Sequence, residues 1–467
     1  MVIKNSYELY QLIKLSKGVK IRMEGLIKNK TPENTTGESY DRPSYRKYVL
    51  FMLMLVYMLN FVDRQLIVIL QESIKADLGF SDTQLGIMSG FGFALFYVLF
   101  SIPIARLADH GNRRNIIAAS LALWSLMTAV CGFTNSFIQM MLARMGVAIG
   151  EAGGSPPALS MISDIFPEKR RATAISIFTS GIYFGLILGF VFGGLLGQIY
   201  GWRVAFIVIG FPGVLLAIIL LLTVKEPLRK ENGSSGPALG MAEKQGFIQV
   251  LKALWKRKTF RYIALAGGAT NFASYSIINW MPSYLLREFD LTMAEVGIWM
   301  GLATGLGGII GTIGGGLLVD RLITFDRRWY VWFPLISIMC ALVIGIFMLN
   351  SSNPFVAIAL GGFSTILFSS WLPSVLAASH GIVNNQTRAQ ATAVLYFALN
   401  IIGMGFGPAA VGLISDSLGM FEGGTSLRIA MMASIIIGVF AANIFFYKSG
   451  KTIINDMDSV NSQKTHS

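Results

Sequence analysis

The chain has 467 residues, of which 54% are hydrophobic and only 13% are charged, and its formal net charge is +13. A soluble domain carries about 25% charged residues, so this composition excludes an ordinary soluble enzyme or binding module. The fifty glycines cluster inside apolar segments, as expected where membrane helices pack closely. The composition therefore predicts a polytopic membrane protein.

Apolar runs long enough to cross a bilayer recur along most of the chain. A helix of about 20 apolar residues spans the hydrocarbon core. We therefore predict an all-α membrane protein with twelve transmembrane helices, at 48–70, 83–105, 115–134, 137–163, 172–200, 203–224, 260–286, 293–319, 330–349, 354–379, 389–416 and 426–447. The residues before the first span are polar and rich in lysine, without the apolar core of a signal peptide.

Lysine and arginine are distributed unevenly between the two sides of these spans. Of the 38 basic residues, 32 fall in the tails or in loops on the same side as the tails. Arg64 and Arg144 lie within spans, and the other four lie on the opposite side. Because positive loops stay in the cytoplasm, we expect a cell (inner) membrane protein with both termini cytoplasmic. The net charge then reflects topology, and no nucleic-acid partner is expected.

The two halves of the chain resemble each other. A shift of 211 residues aligns "NFVDR" at 60–64 with "NFASY" at 271–275, and "ARLAD" at 105–109 with "GLLVD" at 316–320. Secondary transporters are commonly built from such repeats, with the substrate site between them. The predicted domains are an N-terminal tail at 1–47, a six-helix bundle at 48–224, a linker with an amphipathic segment at 225–259, a second bundle at 260–447 and a tail at 448–467.

Four ionisable residues are predicted to meet inside the membrane: Asp63, Arg64, Arg144 and Glu151. At ~1.5 Å per residue, Asp63 lies roughly 24 Å above the cytoplasmic start of its span, between the heights of Glu151 and Arg144. One interpretation is a static, neutral network that holds two spans together. The other makes a carboxylate a proton carrier whose water access changes with conformation. The aligned positions Ser274 and Tyr275 are uncharged, which argues against a simple fold requirement.

Several motifs resemble those of the major facilitator superfamily. "ARLADHGNRR" at 105–114 is similar to the signature between its second and third spans, and "GGGLLVDRLITFDRR" at 314–328 is similar to the counterpart in the second half. Ala105 and His110 depart from the usual pattern. "NFVDR" and the segment "RMGVAIGEAGGSPPALSMISDIFPEKRRATA" at 144–174 resemble the spinster-type lipid transporters. The organic anion:cation symporters are similar in the same charged positions and remain the alternative.

The resemblance implies roles for the charged residues. It makes Asp63 and Glu151 the proton-coupling groups, and Arg64 and Arg144 the partners of an anionic head group or of a gate. The second half is expected to add polar and aromatic lining residues, Asn271, Tyr275, Trp371, Tyr396 and Asn400. A cytoplasmic salt-bridge latch is expected from Asp109, Arg113, Arg114, Asp164, Arg170, Arg171, Asp320 and Arg321.

Two rival classes are disfavoured by the residues themselves. An intramembrane enzyme needs a nucleophile with a base or a metal cluster, and the three histidines have no metal-ligand spacing. A duplicated fold with a buried mixed-charge cluster favours alternating access over a channel. These arguments predict a monomeric secondary transporter that requires no cofactor, and the spinster-type resemblance implies that it is proton-coupled and moves an amphiphilic lipid-like substrate. The alternatives are symport of a small organic anion such as a sugar acid, and drug efflux.

Overall fold

The computed structural model describes residues 40, 42–229, 247–384, 387–419 and 424–465, and their regular structure is helical. Most of the predicted N-terminal tail, linker positions 230–246 and the last two residues lie outside the described residues. The helices are α1 Pro43–Leu78, α2 Asp82–His110, α3 Arg113–Cys131, α4 Phe137–Glu151, α5 Ser155–Ile165, α6 Glu168–Thr223, α7 Phe247–Lys256, α8 Lys258–Glu288, α9 Met293–Leu322, α10 Trp329–Leu349, α11 Pro354–Gly381, α12 Gln390–Ser417, α13 Thr425–Gly450 and α14 Ile453–Thr465.

These helices reproduce the predicted all-α membrane architecture. Nine helices in the described part of the chain are long and apolar enough to cross a membrane. One of them, α6, contains two of the predicted spans, because Gly201 adopts a φ of 81° that interrupts its helical geometry. The broken pair α4 and α5 and the helix α8 correspond to the two remaining predicted spans. The helix α7 lies in the segment that the sequence predicts to be amphipathic.

Glycines allow α6 to pack closely against α1. A Cβ atom at Gly181 would lie 2.8 Å from the Met54 carbonyl oxygen, and one at Gly189 would lie 2.9 Å from the Val62 carbonyl oxygen. Real Cβ atoms do not approach that closely, so only glycine permits this contact of backbones. These glycines of α6 therefore form a packing surface against α1.

Three helices lose regular α geometry near the middle of the bundle. The chain breaks between α4 and α5, directly after Glu151. Helix α2 contains a π-helical turn at Ile87–Phe91, and α12 contains another at Leu399–Gly405. The two turns meet, since a Cβ atom at Gly90 would lie 2.8 Å from the Gly405 carbonyl oxygen. Irregular turns of this kind often occur at functional sites.

The apolar cores show where the two halves of the chain join. We call the end of the bundle where α1 begins at Pro43 the near end, and the end where α1 stops at Leu78 the far end. One core cluster combines residues of both halves, including Leu70 and Leu85 from the far end of the first half. A second cluster comes almost entirely from the first half and includes Val49 near the start of α1. The halves thus share a core at the far end.

Candidate transport site

A cavity of about 320 Å³ lies between the two halves. The first half lines it with Tyr57, Asn60, Phe61, Arg64, Gln65, Val68, Ser89, Phe93, Tyr97, Arg144, Glu151, Ser155, Ile182, Tyr183 and Leu186. The second half contributes Asn271, Ser274, Tyr275, Ile278, Asn279, Thr312, Phe368, Ser369, Trp371, Leu372, Tyr396, Leu399, Asn400 and Met404. All five lining residues that the sequence predicts in the second half are therefore at this cavity.

Arg64 and Glu151 form an ion pair on the cavity wall. The Arg64 Nε atom lies 2.7 Å from Glu151 Oε2, and the Glu151 side chain is fully buried. The Arg64 guanidinium also lies 5.1 Å from the Phe93 ring centre and 5.0 Å from the Tyr97 ring centre, within the range of cation–π attraction. The cation is thus stabilised by one carboxylate and by aromatic faces.

Arg144 lies beside this pair and has unused hydrogen-bonding capacity. It is 1% exposed, and its guanidinium lies 5.1 Å from the Phe93 ring. Its Nε and Nη1 atoms have no hydrogen-bond partner among the described residues, and the same holds for Glu151 Oε1. A buried donor without a partner costs about 1–3 kcal/mol. Arg144 therefore has donors available to a neighbouring carboxylate.

Asp63 is placed differently from the other three charged residues. It is 3% exposed and does not line the cavity, because its side chain leaves α1 on another face. Arg144 and Glu151 are the charged groups that act on the Asp63 carboxyl group, and Trp124 and Thr128 of α3 are the neutral donors beside it. Asp63 consequently lies behind the cavity wall, and a substrate in the cavity meets Arg64 and Glu151 first.

A smaller cavity of about 90 Å³ extends the site into the second half. It shares Tyr183, Leu186 and Phe368 with the main cavity. Its other lining residues are mostly apolar or small, and they include Ile277, Met281, Met300, Ala303 and Gly361. The charged wall is formed by residues of the first half, whereas this extension is lined mainly by the second half.

At the near end, Arg113 of the predicted latch pairs with one residue of the first half and one of the linker. Arg113 is 2% exposed and contacts Asp164 at 2.5 Å and Glu226 at 2.7 Å. Arg114 donates its backbone N–H to Glu226 and its Nη1 to the Val224 carbonyl oxygen. The segment that follows α6 is therefore tied to the start of α3, and in this structure these pairs do not bridge the halves.

The other predicted latch residues differ in their surroundings. Asp109 is partly buried, and Arg171 is partly buried with an Nε atom that has no partner among the described residues. Arg170, Asp320 and Arg321 are exposed. Of the two aspartates at aligned positions in the halves, Asp109 is thus partly buried and Asp320 is exposed.

At the far end, Arg287 of α8 joins the halves through two carboxylates of the first half. Its guanidinium contacts Glu72 at 2.7 and 2.9 Å and Asp82 at 2.7 and 2.8 Å. Asp82 also accepts hydrogen bonds from Lys75 and from the Ser415 hydroxyl. Planar, bidentate contacts of this kind are the strongest that arginine makes with carboxylates.

Asp416 adds a second bridge at the far end. Its carboxylate accepts the backbone N–H groups of Asp82 at 3.1 Å and of Thr83 at 2.7 Å. An anion at a helix N-terminus is stabilised by the unpaired N–H groups and by the helix dipole. The start of α2 is thereby held against the end of α12, which closes the far end.

The comparison with known proteins identifies the family. Residues 53–340 match the sequence model described as Major Facilitator Superfamily. The chain belongs to the major facilitator superfamily. As a member, it is a multi-pass membrane transporter, and the fold predicted from the duplicated spans and loop motifs is confirmed.

The relatives of this facilitator carry different substrates. An MFS-type efflux pump of Mycolicibacterium smegmatis is 35% identical over 79% of this chain and 84% of its own length. The probable galactarate/D-glucarate transporter GudP of Bacillus subtilis is 28% identical over 62% of this chain and 69% of its own. These names place the chain among transporters and leave its substrate undetermined.

A solved structure supports the more specific resemblance. A bacterial homolog of the human lysosomal transporter Spinster, in an inward-facing and unoccupied conformation, superposes with a TM-score of 0.79. It is 31% identical, and the match covers 89% of this chain and 99% of the other. The spinster-like character predicted from "NFVDR" and the α4–α5 segment is confirmed.

Sequence reasoning missed the residues that close the far end and part of the aromatic lining. Glu72, Asp82 and Asp416 lie at span ends, where a carboxylate is usually a solvated surface group. Arg287 is one of only four basic residues that the sequence places on the side opposite the tails. The rarity of basic residues there was the signal that could have identified it. Phe93 and the other cavity aromatics lie in apolar runs, where their direction cannot be read.

Proposed function

We propose that this facilitator is a proton-coupled secondary transporter that moves an amphiphilic, lipid-like substrate by alternating access. The observation that carries the proposal is the asymmetric site between the halves. The first half supplies a wall with the Arg64–Glu151 pair and Arg144 beside it, and the second half supplies most of a largely apolar extension. An anionic or zwitterionic head group fits the charged wall, and a hydrocarbon chain fits the extension.

The distribution of contacts between the halves supports an inward-facing state. Arg287 and Asp416 bridge the halves at the far end, where they also share a core cluster. At the near end, Arg113 pairs with Asp164 of the first half and Glu226 of the linker, and neither pair reaches the second half. With the near end cytoplasmic, as the charge distribution indicates, the far end is closed and the site opens inward. The predicted latch would form after the halves rock.

Proton coupling is proposed for the two acids. Glu151 pairs with Arg64 at the cavity, whereas Asp63 lies behind it near Arg144. Substrate that binds Arg64 competes with Glu151 for the same guanidinium, so binding and protonation become linked. Protons and substrate then shift the equilibrium between the inward-facing and outward-facing states, each by the difference in its affinity for the two states.

The topology that we propose follows the predicted domains. Two six-helix bundles, at 48–224 and 260–447, rock about the site, and both tails and the 225–259 linker face the cytoplasm of a cell (inner) membrane. Membrane lipids, protons and the substrate are the partners we propose, with the transporter acting as a monomer.

Purified protein in proteoliposomes tests the coupling. We expect wild type to accumulate a labelled lysophospholipid when a pH gradient is imposed, and Asp63→Asn to lose this dependence on the gradient. Asp77→Asn is the matched control, because Asp77 lies on the same helix but contacts Arg203 near the far end. Unchanged pH dependence in Asp63→Asn would refute the role of Asp63.

A second variant separates the lipid-like substrate from a sugar acid. Ala303 lines the apolar extension, so Ala303→Leu fills space there. We expect uptake of the lysophospholipid to fall about tenfold, since a lost contact of about 1.4 kcal/mol changes affinity tenfold, while the control Ala359→Leu on an exposed face has no effect. Saturable glucarate uptake that is insensitive to Ala303→Leu, without lysophospholipid uptake, would favour the organic-anion alternative.

A further inference from the structure

Helix α3 presents a polar stripe to the back of the charged cluster. Trp124, Thr128 and Cys131 are spaced four and three residues apart, so they share one face of the helix. All three are completely buried. Asp63 and Arg144 are the charged groups that act on Cys131, and Asp63 faces Trp124 and Thr128. The stripe therefore lines a polar compartment that is closed off from the surface.

This compartment has more hydrogen-bond donors than partners. Trp124 Nε1, Thr128 Oγ1 and two nitrogens of Arg144 have no hydrogen-bond partner among the described residues. Indole and guanidinium nitrogens can only donate, so these groups require an acceptor. Leaving buried donors unpaired is costly, and the carboxylate that faces them is Asp63.

A small cavity lies between two residues of the transport-cavity wall and Trp124. A cavity of about 10 Å³ is bounded by Tyr57, Asn60, Trp124, Gly154 and Phe178. Its volume is close to the smallest that holds one water molecule. Tyr57 and Asn60 also line the transport cavity. One water molecule in this cavity would lie beside Trp124 and outside the transport cavity.

We propose that Trp124 and Thr128 are positioning residues that hold the deprotonated carboxylate of Asp63 in this compartment, separate from the substrate. The proposal rests on the proposed role of Asp63 in proton coupling. When Asp63 loses its proton, its carboxylate accepts hydrogen bonds from Trp124 and Thr128 and attracts Arg144. When it is protonated, these bonds weaken and Arg144 is released toward Glu151 and the cavity.

The other charged and titratable groups around Asp63 are compatible with a movement of Arg144 between Asp63 and Glu151. Arg144 and Glu151 face it from α4, and the Cys131 thiol faces it from α3. Arg64 follows Asp63 on α1 but is paired with Glu151. Helix α6 presents glycines to this part of α1. Arg144 is therefore the cation that responds to the charge of Asp63.

Infrared difference spectroscopy of the purified protein tests the proposal without any substrate. The protonated carboxyl band of Asp63 is identified by its loss in Asp63→Asn, and its intensity is followed against pH. Thr128→Val and Trp124→Phe each remove one donor and keep most of the side-chain volume. In the wild type, a hydrogen bond of about 1 kcal/mol from each donor favours the carboxylate form of Asp63. Because each variant loses one such bond, we expect it to raise the midpoint of the Asp63 titration by about half to one pH unit.

Ser125→Ala is the matched control, since it removes a buried hydroxyl from the same helix on the side that faces Gly213. We expect no shift in this variant. A band that titrates normally but does not move in Thr128→Val or Trp124→Phe overturns the positioning role alone. Absence of any titrating band that depends on Asp63 overturns both this role and the proposed coupling. The two substitutions act independently, so misfolding of one leaves the other as a test.

Discussion

Replacing Arg287 by glutamine removes the strongest contact that joins the halves at the far end. Arg287 donates to Glu72 and Asp82 through four contacts of 2.7 to 2.9 Å. In an outward-facing state these groups separate, so the contacts stabilise the state seen here selectively. We therefore expect Arg287→Gln to shift the population toward the state that is open at the far end.

The size of the shift follows from the burial of the three side chains. They are 16%, 20% and 4% exposed, for Arg287, Glu72 and Asp82 respectively. Breaking a fully buried pair costs about 3–5 kcal/mol, and an exposed pair contributes about 0–1 kcal/mol. An intermediate loss of about 2 kcal/mol changes the ratio of the two states about thirtyfold. Lys75 and Ser415 still bind Asp82 in the variant, so the loss stays below the value for a fully buried ion pair.

Distances between spin labels measure this equilibrium directly. Tyr200 and Ser352 are exposed near the far end, one in each half, and both can be replaced by labelled cysteine once exposed Cys340 is changed to serine. We expect Arg287→Gln to add a population with a longer distance. Arg203→Gln is the matched control, because Arg203 pairs with Asp77 inside the first half.

Two results would contradict this reasoning. If Arg287→Gln leaves the distance distribution unchanged, the far-end ion pairs do not set the equilibrium between states. If Arg203→Gln opens the far end equally, the effect comes from general weakening of that end and not from the bridge between the halves.

Three further predictions follow from the same geometry. Glu151→Gln leaves Arg64 without its carboxylate, and we expect gradient-driven uptake to fall at least tenfold while size-exclusion profiles stay normal. Arg113→Gln breaks two buried ion pairs, so the melting temperature of the detergent-solubilised protein should drop by several degrees, whereas Arg114→Gln, which loses weaker contacts, should change it little. Gly90→Ala adds a methyl group that clashes with the π-helical turn of α12, so spin labels at the far end should report a longer distance. An unchanged distance would contradict this, because it would mean that the backbone of the turns shifts to accommodate the methyl group.

Much of the architecture could be predicted because a bilayer constrains sequence strongly. Apolar length sets each span, and the uneven distribution of 32 of the 38 basic residues indicates orientation. Helix rise alone placed Arg64, Arg144 and Glu151 at similar depth, and the structure brings Arg64 and Glu151 to 2.7 Å. Glycines clustered in apolar segments indicated close helix packing, and those of α6 pack on α1.

Side-chain direction and contacts between distant helices depended on the tertiary structure. Depth does not tell which way a residue points, so the position of Asp63 behind the cavity wall, facing Trp124, followed only from the rotation of α1 against α3. The pairing of Arg287 with Glu72 joins residues more than 200 positions apart, and no local pattern specifies it. The sequence by itself determined the membrane fold and the depth of the charges, because bilayer thickness and helix rise are fixed lengths. The packing of the two halves decided which charges meet, because that depends on the rotation of each helix about its axis.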